Sequence, residues 1–127
     1  MSTTTNLSSR LREETKSAHS SAEEAPLFHA IFDGTCSREA MLGLERALLD
    51  VYIALEDCLQ THADDPRVGQ FAIPELYRVS AIRSDLRELM PESLEQPTVP
   101  AADTYAAHLR ELGRNAPLLL IAHAYTR

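Results

Sequence analysis

The sequence predicts an all-α protein, and three observations carry that prediction. Apolar residues recur at steps of three and four through most of the chain, the spacing of one face of an α-helix. No segment keeps the strict alternation of a half-buried strand. Residues suited to helix ends punctuate the periodic stretches. The first helix runs from Leu7 to about Ala25, with Leu11, Thr15, Ala18 and Ala22 along one line. "APLFHAIFDG" is a short apolar turn or helix closed by Gly34. A long helix follows from Ser37 to His62, capped by Ser37, with Glu39 in its first turn. Its stripe is Met41, Leu44, Leu48, Val51, Tyr52, Leu55 and Leu59. Pro66, Gly69 and Pro74 break the connection that comes next. A third long helix spans Arg78 to Met90, and "PESLEQPTVPAAD" is a loop with three prolines. Asp103 to Leu112 is a helix ended by Gly113. Asn115 caps a last helix with Pro117 in its first turn. That final segment, "APLLLIAHAYTR", is nearly all apolar and is expected in the centre of the bundle.

At 127 residues the chain has the length of one domain, with residues 1–6 read as a disordered leader. It is 44% hydrophobic and 24% charged, an ordinary globular balance. A net charge of −7 argues against nucleic acid or an anionic membrane surface as a partner. Cys36 and Cys58 form neither a CxxC pair nor a disulfide framework, which suits a reducing cytoplasm. No apolar run approaches the length of a membrane span.

The stretch "TKSAHSSAEE" (Thr15 to Glu24) holds the most suggestive chemistry. On a wheel of about 100° per residue, Thr15, Ala18 and Ala22 stay within roughly 40° of Leu11. Arg12, Lys16, His19 and Glu23 gather at roughly 80–140°, along one edge of that stripe. Two readings follow. In one, His19 is a border histidine in a salt-bridged helix flank. In the other, its imidazole ligates the metal of a flat acidic cofactor, Arg12 and Lys16 meet the cofactor's carboxylates, and Glu23 fixes the tautomer. Other metal patterns are missing. None of His19, His29, His62, His108 and His123 follows a glutamate by three residues, as a di-iron bundle requires. No HExxH or zinc spacing occurs, and four glycines do not make a phosphate loop. A second cluster is "HAYTR" with Tyr52 and Tyr105 on other helices. These are either core tyrosines with hydroxyls at the surface or members of an internal polar network around water.

At these residues the sequence resembles the biliverdin-producing haem oxygenases. The resemblance is carried by "LREETKSAHSSAE" (Leu11 to Glu23) and "YAAHLRELGRNAPLLLIAHAYTR" (Tyr105 to Arg127), with "DVYIALED" and "PELYR" in support. It implies a haem-oxygenase-like multi-helix bundle with His19 as the proximal iron ligand and Glu23 as its support. Arg12, where the family commonly has a lysine, and Lys16 would lie at the haem propionates, which Tyr125 would reach by its hydroxyl. Tyr52, Tyr105 and Arg127 would join the network that delivers protons to bound oxygen. Haem is then both cofactor and substrate, converted with O₂ and electrons from a ferredoxin, flavodoxin or reductase into biliverdin, carbon monoxide and ferrous iron. The family continues after "AHAYTR" into a glycine-rich distal helix, which these residues do not include. The resemblance therefore implies an incomplete bundle whose apolar last helix is covered by another chain or segment. The alternative is a haem-binding helical module without catalysis.

Overall fold

The computed structural model describes residues 6–126, and among these there is no strand. Six α-helices follow one another: α1 (Leu7–Glu23), α2 (Pro26–Phe32), α3 (Arg38–Thr61), α4 (Val79–Leu89), α5 (Pro100–Asn115) and α6 (Leu120–Tyr125). Short 3₁₀ turns occupy Gly69–Phe71, Pro74–Leu76, Pro91–Glu95 and Pro117–Leu119. The chain divides into two compact units, Met1–Ala40 and Met41–Arg127.

In the first unit, Asn6 caps α1 by accepting from the Ser8 amide at 3.2 Å. Asn6 is thus part of the helix start rather than of a disordered leader; residues 1–5 lie outside the described residues. Arg10 and Glu14 pair at 3.2 Å along the exposed surface. No residue of α1 is buried, so the Leu11–Ala22 line is not the core face that periodicity suggested. The line contains two Ala and a Thr beside a single Leu, too little apolar area to drive deep burial. Helix α2 closes on Gly34 at φ +71°, the left-handed conformation that glycine adopts without Cβ strain. Ser37 then caps the start of α3, its Oγ accepting from the Ala40 amide at 3.1 Å.

The second unit is organised by two faces of α3. Ala54, Leu55 and Leu59 pack with Val68, Ala106, Leu109, Leu120 and Ala124. Leu42 and Leu49 pack with Leu86, with Val79, Ile82, Met90 and Leu94 around them. Met41, placed on the stripe from sequence, is exposed, and Leu42 and Leu49 are buried in its place. A single-stripe reading misses the face turned towards α4, because a helix packed on two sides buries residues off the main line.

Polar groups fix the connections. Buried Glu56 accepts from the Arg78 amide at 2.5 Å and from the Val79 amide at 3.4 Å, capping α4 with a carboxylate from α3. Arg46 donates to the Ser93 carbonyl and the Gln96 carbonyl, each at 2.9 Å, and pairs with Asp50 at 2.8 Å. This clamp ties down the proline-rich segment: Pro91–Glu95 form a 3₁₀ turn, and residues 96–99 remain the loop that the sequence predicts. Helix α5 begins at Pro100, earlier than Asp103, because proline suits the first helical turn.

Gly113 does not end α5, and Asn115 is its last residue rather than the cap of the next helix. Gly113 serves close packing instead: a Cβ there would lie 2.8 Å from Cys58 Sγ. The His62 Nε2–H donates to the Gly113 carbonyl at 2.7 Å, tying the same crossing. Gly113→Ala is expected to cost about 1–3 kcal/mol by overpacking. Most of that loss should be recovered in the Gly113→Ala/Cys58→Ala double variant, as read by urea unfolding. Equal stability of both variants would rule out the steric clash.

Asp65 shapes the turn after α3 by accepting from the Arg67 amide at 2.7 Å and the Val68 amide at 3.2 Å. These bonds, with the Arg67 side chain, lower the Asp65 carboxyl to about 2. A folded value below the ordinary one means that ionised Asp65 contributes stability above its unfolded titration, lost as pH falls towards 2. Asp65→Ala should therefore flatten the acid limb of stability between pH 4 and 2, measured by chemical denaturation at each pH.

The last segment is only partly central. Leu120 and Ala124 are buried, whereas Leu118, Leu119 and Tyr125 are exposed. The six-residue α6 turns one face inward and leaves an apolar face outward, so the apolar run does not translate into full burial.

Candidate functional site

Helix geometry brings four of the predicted residues together on α1. Arg12, Thr15, Lys16, His19 and Ser20 line one concavity of its surface. His19 Nδ1 lies 3.4 Å from Glu23 Oε2, one turn along, and both side chains are largely exposed. The carboxylate thus faces one ring nitrogen and leaves Nε2 for a ligand, the usual arrangement behind a metal-bound imidazole. Thr15 turns its hydroxyl onto the Leu11 carbonyl at 2.7 Å, so that hydroxyl is already engaged. Two cations beside an open imidazole suit a planar ligand with acidic substituents.

The tyrosines belong to the second unit. Tyr52, on α3, is half-buried; burial, and then the charge interaction with Tyr52, raise the Tyr105 phenol above its ordinary range. Tyr105, on α5, places its hydroxyl 2.5 Å from His123 Nδ1 on α6, with ring centroids 5.5 Å apart. His108, one turn beyond Tyr105, meets His123 edge-on at 5.9 Å. Burial, and then the facing His108, hold the His123 imidazole below its usual range. Tyr125 is 83% exposed and borders a groove with Gln70, Phe71, Ile73, Leu76, Arg78 and Ala124. Arg127 lies outside the described residues.

Sequence reading placed "HAYTR" beside Tyr105 but gave His123 no role, and it missed His108 as the ring that meets His123. The only signal was a histidine three residues after Tyr105, which shares its helix face. The contact with His123 depends on how α6 folds back on α5, which spacing does not encode.

Fold and α1 surface together define an all-helical protein with a ligand-ready imidazole between cations and a carboxylate. Comparison with known proteins narrows the class. The family model described as Heme oxygenase matches residues 5–127. The chain is 34% identical over 124 residues to human heme oxygenase 1, covering 95% of this chain and 43% of that protein. It is 34% identical over 126 residues to heme oxygenase 2 of Synechocystis, covering 97% of this chain and 50% of that protein. Among solved structures, Synechocystis heme oxygenase-1 in complex with heme superposes with a TM-score of 0.85 at 31% identity, over 97% of this chain and 57% of that one. Synechocystis heme oxygenase-2 in complex with heme and NO gives a TM-score of 0.85 at 33% identity, over 97% of this chain and 51% of that one. The chain belongs to the haem oxygenase family. It spans about half the length of the relatives it matches.

Proposed function

We propose that this chain works in a haem oxygenase that cleaves haem to biliverdin, carbon monoxide and ferrous iron, using O₂ and electrons from a ferredoxin, flavodoxin or reductase. The observation that carries this reading is the α1 surface, where Arg12, Lys16 and His19 share one concavity and Glu23 stands 3.4 Å behind the imidazole. These donors fit haem: one neutral nitrogen for iron and two cations for two propionates. Bound haem supplies both the iron that activates O₂ and the ring that is oxidised.

The chain's own residues act around it. His19 Nε2 would ligate the iron, and Glu23, 3.4 Å from Nδ1, would hold the tautomer and raise the basicity of the ligand. Arg12 and Lys16 would pair with the acidic edge of the ring and so set its rotation, and Tyr125, by the family resemblance, would donate its hydroxyl to a propionate. Tyr52, Tyr105 and Arg127 would, by the family resemblance, hold water and pass protons. The reaction takes place in the cytoplasm. Among the described residues no helix is long and apolar enough to cross a membrane.

The test is to add haem, a reducing system and oxygen to the chain. Decay of the Soret band with growth of biliverdin absorption supports the enzyme. The second reading is a haem-binding module without turnover. A stable Soret band that never yields biliverdin would establish that reading for this chain.

A further inference from the structure

We propose that His108 and His123 form a second, haem-independent site for a borderline divalent cation such as Zn²⁺, Ni²⁺ or Cu²⁺. The two imidazoles come from neighbouring helices of one unit and meet edge-on with centroids 5.9 Å apart. Two imidazoles bound to one tetrahedral ion at the usual zinc–nitrogen length place their ring centres about 5 Å apart. A small rotation of exposed His108 closes that difference.

His123 is already oriented for the task. Its Nδ1 is engaged by the Tyr105 hydroxyl at 2.5 Å, which leaves Nε2 for the ion. An outer partner on the second ring nitrogen is the feature that fixes tautomer and ring direction in metal-bound histidines. His29 is not needed, and His62 has its Nε2 committed to the Gly113 carbonyl. Among the described residues no group of three or more His, Cys, Asp or Glu gathers to hold a metal. The proposed site supplies two protein nitrogens and draws its remaining ligands from water. Imidazole pairs favour Cu²⁺, Ni²⁺ and Zn²⁺ over Mg²⁺ or Ca²⁺. An ion here would clamp α5 to α6 and hold Tyr105 against His123.

The test is calorimetric titration of the chain with zinc sulfate in a His19→Ala background, so that failure of the haem reading and failure of this one remain separate. One ion per chain is expected. His108→Gln and His123→Gln should each weaken binding by at least about tenfold, and Tyr105→Phe by about tenfold. Circular dichroism checks that each variant keeps its helices. Copper electron paramagnetic resonance on the unsubstituted second-unit histidines, again with His19→Ala, should count two coupled nitrogens, and one in His108→Gln. Zinc affinity unchanged in His108→Gln, or a single coupled nitrogen before that substitution, would overturn the site.

Discussion

His19→Ala is expected to abolish the imidazole-ligated Soret spectrum of the haem complex and to weaken haem binding by at least about a hundredfold. Loss of an outer hydrogen-bond partner alone costs about 10–100-fold in metal affinity, and removal of the ligand itself should exceed that range. No other histidine is offered on the α1 concavity, where Arg12 and Lys16 stand. Glu23→Gln should fall between the variant and the parent: the ring keeps a partner, but one without charge. Titration of each protein with haem, followed at the Soret maximum, measures both effects. A His19→Ala spectrum identical to that of the parent would assign the ligand elsewhere.

The second large effect concerns stability. Leu59 is fully buried at the centre of the cluster that joins α3, α5 and α6. Leu59→Ala is expected to cost about 3 kcal/mol, combining lost transfer energy with the cavity left among rigid neighbours. For a chain of this size that corresponds to a fall of about 10 °C in Tm. Leu119→Ala removes the same atoms from a side chain that is 55% exposed and should change Tm far less. Thermal unfolding of the two variants decides it. Equal shifts would mean that the cluster is not the stabilising centre of its unit.

Much of the fold was legible because its signals are local. Ser37 as a cap, Gly34 as a left-handed closure and the run of α3 depend on residues within one or two turns of each other. The misread points depend on distant partners. Gly113 looked like a helix stop, yet α5 passes through it because Cys58 on α3 needs the space. Asn115 looked like a cap, yet the backbone leaves α5 only at Ala116. The proline-rich segment looked like an open loop, yet Arg46 on α3 clamps its carbonyls.

The candidate site divides the same way. Arg12, Lys16, His19 and Glu23 lie within one helix, so their shared edge could be read from angular spacing alone. The depth of that edge could not, and it proves exposed rather than at a core border. The Tyr105–His123–His108 cluster joins α5 to α6 across a turn at Pro117–Leu119, and no period in the sequence reports it.

Whether His19 is the ligand of haem iron is tested most directly by resonance Raman of the ferrous haem complex. An iron–imidazole stretching band should be present in the parent protein and absent in His19→Ala. It should return on addition of free imidazole, and shift when that imidazole carries ¹⁵N. A band that persists unchanged in His19→Ala without added imidazole would contradict the account.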